Sequence, residues 1–139
     1  MCEGMKCQYL VNILGYINEP DNLSIVMEYF EIGNLKEFNR KFMMAGGVMT
    51  RKIRMILDIS NGMNYLHTRD TPIFHSDLKL ENVFVGGDFT VKIGDFGFAV
   101  SRASVSLHEM GGTFTHFPPE AYDNAKVDEL WDIYTLEVG

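Results

Sequence analysis

"FHSDLKLENVFV", residues 74–85, packs His75, Asp77, Lys79, Glu81 and Asn82 into eight positions between two apolar runs. A solvated surface turn has no need of that order. A loop that holds metal and phosphate does, because it must bring hard oxygen ligands and a fixed cation close together. Downstream, "NVFV", "GGD" and "FTVKI" read as two short strands around a tight turn, a hairpin. "GDFGFA" follows and sets Asp95 thirteen residues beyond Asn82, and "GGTFTHFPPE" lies at 111–120.

Working outward, residues 9–16 (YLVNILGY) and 23–29 (LSIVMEY) read as strands joined through the turn-forming NEPDN. Asn34 with Glu37 three residues later is a helix-capping pattern, and Leu35, Phe38 and Phe42 then share one face. "AGGV" ends that short helix. A longer helix is expected from near Thr50, where Ile53, Ile56, Ile59, Met63 and Leu66 form one apolar stripe and "TRDTP" stops it. From Gly94 to Glu120 there is little periodicity; Ser101, Ser104 and Ser106 stud a loop and read as solvated positions. "DELWDIYTLEV" starts a last helix. The order of strands, helices, hairpin and long loop gives a mixed α+β chain.

Composition narrows the function classes. The 139 residues are one domain's length, and 46% apolar with 22% charged is ordinary globular composition. Net charge is −7 and the twelve Lys and Arg are scattered, which argues against nucleic acid and anionic membrane as partners. No apolar run approaches the roughly 18–20 residues of a spanning helix, and the N-terminus lacks a secretory cleavage pattern. Cys2 and Cys7, five apart, form neither a zinc half-site nor a disulfide framework, so a reducing, cytoplasmic setting is expected.

Asp77, Asn82, the D-F-G at 95–97 and the P-P-E at 118–120, in that order and spacing, resemble the signature set of protein kinases. "VMEYFEIGNL", "GMNYLH" and the H-x-D without arginine are most similar to the receptor-interacting serine/threonine kinases of the tyrosine-kinase-like group. The resemblance implies a partial bilobal kinase fold. Residues 1–30 would be the remnant of the N-lobe (end of helix C, strands four and five) with the hinge, and residues 31–139 the first part of the mostly helical C-lobe. It implies ATP and Mg²⁺ as cofactors, with Asn82 and Asp95 as metal ligands. Asp77 would orient the substrate hydroxyl and accept its proton, while Lys79 would lie over the γ-phosphate. Met27 would be the gatekeeper, the backbones of Glu28 and Phe30 would bond the adenine edge, and Phe84 would floor the adenine pocket. His75 would pack beneath Phe96 as a structural residue, and Asp132 would brace the catalytic loop. Lys79 and Thr113 match the serine/threonine pattern, so the substrate would be a protein hydroxyl. Other signalling kinases or adaptors are partners only by resemblance.

The departures carry information too. Ser76 replaces the arginine that usually receives an activation-loop phosphate. No G-x-G occurs, Lys6 does not lie in a V-A-I-K strand, and the helix glutamate that would pair with that lysine is absent; Glu120 lacks its later arginine partner. The 139 residues alone are therefore expected to be inactive and poorly folded. Retention of Asp77, Asn82 and Asp95 favours an active parent kinase; the missing lysine favours the alternative, a pseudokinase or truncated regulator that engages a partner kinase. Without the guanidinium at position 76 a loop phosphate loses its bidentate partner. Phosphorylation of the loop serines should thus leave the transfer rate nearly unchanged, and a large gain on phosphorylating this loop alone would refute that.

Overall fold

The computed structural model describes residues 6–20, 22–42, 48–101 and 128–138. The end of helix C, the "AGGV" break, and Ser104, Ser106, Thr113 and Glu120 all fall, wholly or mainly, outside those residues. Strands β1 (Ile13–Glu19) and β2 (Asn22–Met27) form an antiparallel hairpin in which Glu19 pairs with Asn22. Strand β3 (Gly33–Asn34) leads into helix α1 (Leu35–Phe42), and helix α2 runs Val48–His67. Strands β4 (Ile73–Phe74), β5 (Val83–Val85), β6 (Val91–Ile93) and β7 (Val100–Ser101) precede helix α3 (Glu129–Val138). The sheets are β1-β2, β3-β5-β6 and β4-β7. This is the expected α+β arrangement.

The first two strands differ from the sequence reading at both of their ends. The first strand begins at Ile13, not Tyr9, because residues 9–11 dock on β6 instead. Val11 N–H donates to the Ile93 carbonyl and Ile93 N–H to the Tyr9 carbonyl, each at 2.8 Å, around a parallel bridge of Leu10 with Ile93. That approach runs over Gly62 of α2, where a Cβ would stand 2.9 Å from Ile93 Cδ1 and 3.3 Å from the Tyr9 carbonyl oxygen. The second strand ends at Met27, before the exposed Tyr29.

The cap on α1 forms as its sequence dictates: Glu37 N–H donates to Asn34 Oδ1 at 3.0 Å, which satisfies one of the orphan donors of the first turn. Leu35 and Phe38 are buried, and Phe42 packs beside them. On α2 the core stripe is Met55, Ile59, Met63 and Leu66. Ile53 and Ile56, read as part of it, are exposed together with Leu57. All of these spacings fit a helix, and which face is covered depends on where β6 and the 9–11 segment lie.

The β5–β6 turn is longer than Gly-Gly-Asp. It closes from Gly86 to Thr90, with Gly86 N–H to the Thr90 carbonyl at 3.0 Å, and it places Phe89 at φ 65°. A left-handed residue with a Cβ costs roughly 1–2 kcal/mol. Phe89 offsets that by packing edge-on to Phe38 and Phe42 at 6.1 and 6.2 Å, beneath the Arg51 guanidinium at 4.3 Å. Phe38, fully buried at the centre of this group, should be the costliest side chain to truncate. Phe38→Ala is expected to destabilise by about 3–5 kcal/mol and Asn34→Ala by about 1 kcal/mol, read from denaturant midpoints.

Candidate active site

β4 delivers the chain into a loop whose next residues are all buried: His75, Ser76, Asp77 and Leu78. Backbone groups in such a place need partners, and they find them on α3. The Asp132 carboxylate, itself 1% exposed, accepts from His75 N–H at 3.0 Å, from Ser76 N–H at 2.8 Å and from His67 Nε2–H at 2.8 Å. Asp132 also lies in the first turn of α3, where the helix dipole favours a negative charge. Asp128 caps that turn, its Oδ1 accepting from Leu130 N–H at 2.9 Å.

The brace explains an unusual backbone. Ser76 sits at φ 65°, a left-handed conformation that a side chain resists, and its N–H is one of the two that Asp132 holds. The bracing role of Asp132 was legible in the sequence. The third donor, His67 at the end of α2, was not, since 65 residues separate it from its partner and the two helices meet only where both lie against β4.

Beyond Ser76 the loop turns its polar side chains together. Lys79 Nζ donates to Asp77 Oδ2 at 2.7 Å. Asn82, on a single 3-10 turn at Leu80–Asn82, donates through Nδ2 to the Asp77 carbonyl at 2.9 Å and to Asp77 Oδ2 at 3.1 Å. Both contacts use the Asn82 amide nitrogen, so its Oδ1 takes no part in them. The Asn82 carbonyl accepts from Gly94 N–H at 2.9 Å, which brings the end of β6, and hence Asp95, beside the loop. Asp95 itself is exposed and left-handed, φ 60° and ψ 66°. Three of the four expected residues are thus hydrogen-bonded to one another, and the fourth is attached through its neighbour's backbone.

His75 behaves as expected of a packed residue: its ring lies 5.1 Å from the Phe96 ring, and its Nε2–H donates to the Gly94 carbonyl at 2.9 Å. Gly94 is required by close approach, since a Cβ there would stand 2.7 Å from Val11 Cγ2 and 2.9 Å from the Phe84 ring. Phe84 in turn lies 5.3 Å from the Phe30 ring. Met27 ends β2 opposite Ile13. The Glu28 side chain binds Lys92, a contact that sequence reasoning missed. At the loop's outer edge Lys36 pairs with Glu81 at 2.5 Å. That hydrogen bond holds the Glu81 carboxyl below its ordinary range, so its small contribution to stability is present above the unfolded value and fades as pH falls through the lowered one.

The comparisons with known proteins agree with this geometry. A family model described as the protein kinase domain matches residues 1–138. The chain belongs to the protein kinase family. It is 37% identical over 145 residues to receptor-interacting serine/threonine-protein kinase 2 of Bos taurus, covering 96% of this chain and 27% of that protein. It is 34% identical over 155 residues to receptor-interacting serine/threonine-protein kinase 1 of Homo sapiens, covering 99% and 22%. Serine/threonine-protein kinase CTR1 of Arabidopsis thaliana is 36% identical over 132 residues, 93% and 16%. The chain therefore spans about a quarter or less of the length of these relatives.

Removing the Asp132 carboxylate would leave two buried N–H groups and an imidazole without their acceptor. Asp132→Ala should destabilise by about 3–5 kcal/mol, with hydrogen-exchange protection lost first at the His75 and Ser76 amides. Protection there equal to wild type would rule out the brace.

Proposed function

We propose that these residues belong to a serine/threonine protein kinase, which moves the γ-phosphoryl group of ATP to a hydroxyl on a protein substrate. The observation that carries this reading is the convergence of Asp77, Lys79 and Asn82 within hydrogen-bond distance, with Asn82 tied to the backbone before Asp95. Such an array suits a reaction catalysed chiefly by positioning and by neutralising phosphate charge.

Asp77 accepts the proton of the attacking hydroxyl and fixes its direction. The new bond joins that oxygen to the γ-phosphorus as the bond to the bridging oxygen breaks, and ADP leaves. Lys79 supplies a positive charge beside Asp77 for the transferred group. Asn82 Oδ1 and the exposed Asp95 carboxylate offer two hard oxygen ligands, a donor set that fits Mg²⁺ and leaves its remaining positions to phosphate and water. Bound there, the metal neutralises charge on the phosphate oxygens.

The purine would lie at the other end of the cleft. The Glu28 N–H and the Phe30 carbonyl are already engaged, with the Asn12 carbonyl and Gly33 N–H. The Glu28 carbonyl and Phe30 N–H are then the groups that would meet its edge. Phe84 would lie beneath the ring, and Met27 at the back. In this reading residues 1–30 close the smaller lobe and form the hinge, residues 31–139 open the larger one, and the setting is cytoplasmic signalling with kinases or adaptors as partners. No helix among the described residues is long and apolar enough to cross a membrane.

The test uses the longest natural chain that carries these residues. Asp77→Asn should lower the transfer rate by about 10²–10⁴-fold while magnesium-nucleotide affinity stays close to wild type. Asp95→Asn should instead weaken magnesium-dependent nucleotide binding. Unchanged turnover in Asp77→Asn would remove that residue from the mechanism.

A further inference from the structure

Glu28, one residue beyond β2, is a junction of three contacts. Its N–H donates to the Asn12 carbonyl at 3.1 Å, and its Oε1 accepts from the Asn12 N–H at 2.6 Å. Both carboxylate oxygens accept from Lys92 Nζ, at 2.9 and 2.8 Å. Lys92 is the middle residue of β6, directly opposite Phe84, and three residues before Asp95. The two side chains are 24% and 28% exposed, so water screens this pair less than a surface one. The backbone of residues 9–11 is clamped to the next residue of the same strand, Ile93. The short segment 9–12 thus lies between β6 and the end of β2, and the Lys92–Glu28 pair closes the arrangement on the hinge side.

We infer that Lys92 is a positioning residue for nucleotide, acting through Glu28. The inference rests on the reading of this cleft as a nucleotide site. Residues 28–30 would present the backbone that meets a purine, and Asp95 with Asn82 would meet the phosphates. Lys92 and Asp95 share one short segment, so an ion pair from Lys92 to Glu28 sets how far apart the two ends of the cleft stand. Asp77 is held independently, by Lys79, Asn82 and the Asp132 brace. Loss of the pair should accordingly affect how nucleotide is held and spare the proton-accepting step.

The experiment again uses the longest natural chain that carries these residues, titrated with magnesium-ADP and assayed for kcat and for KM toward ATP. Lys92→Met should raise the magnesium-ADP Kd and the KM for ATP about five- to tenfold, with kcat within about twofold of wild type. Lys92→Arg, which keeps a charge-assisted contact with Glu28, should return both constants to within about twofold of wild type. Should Lys92→Met fail to fold, Glu28→Gln removes the charge while keeping an acceptor for the Asn12 N–H, and it should reproduce the same rise. A folded Lys92→Met protein that binds magnesium-ADP as wild type does, or one that loses kcat with KM unchanged, overturns the positioning role. A wild-type protein that binds no magnesium-ADP overturns the nucleotide reading itself, a result separate from either of these.

Discussion

A carboxylate taken out of water must recover its lost hydration from hydrogen-bond donors, and Asp132 does so with two backbone N–H groups and an imidazole. Those two N–H groups belong to the residues immediately before Asp77. The left-handed turn at Ser76, the direction in which Asp77 leaves it, and the reach of Lys79 and Asn82 back to Asp77 all follow from that anchorage. Without it the loop would be a buried segment with unsatisfied amides, and a strained residue would have nothing to hold it. Trp131, next to Asp132, is buried on the same helix, and that helix lies against β4.

A second constraint comes from β5 and β6. Val83, Val85, Val91 and Ile93 point into the core opposite α2, so the hairpin is a rigid base with Asn82 at its start and Asp95 just beyond its end. Gly94 joins the two: its N–H bonds the Asn82 carbonyl and its own carbonyl takes the His75 ring. The three segments that carry the polar array are therefore fixed to one another by a main-chain hydrogen bond from Gly94 to Asn82 and by the His75 ring on the Gly94 carbonyl.

Local chemistry made several elements readable in advance. Asn34 capped α1 because a short side-chain oxygen three residues ahead of a helical N–H has one good use. The Gly-Gly-Asp turn marked a hairpin, and the spacing of Asp77, Asn82 and Asp95 marked the site. Elements whose form depends on a distant neighbour read less well. Residues 9–12 carry strand-like side chains but pair with β6 through a single bridge. Ile53 and Ile56 fit the helical stripe by spacing yet lie on the uncovered side of α2, while Met55 takes the core position. Periodicity finds a helix and its apolar residues; it does not say which of two apolar faces meets the sheet.

The sequence by itself determined the family, the α+β class and the identity of the polar side chains grouped around Asp77, because motif order and spacing are properties of the chain. Only the tertiary structure decided that His67 and Asp132 meet across 65 residues, that Ser76 is left-handed, and that Lys92 reaches Glu28. Each of these depends on the distance between elements far apart in the chain. That distance is set by how α2, α3 and the hairpins pack together, a matter of shape and burial that local residue order does not encode.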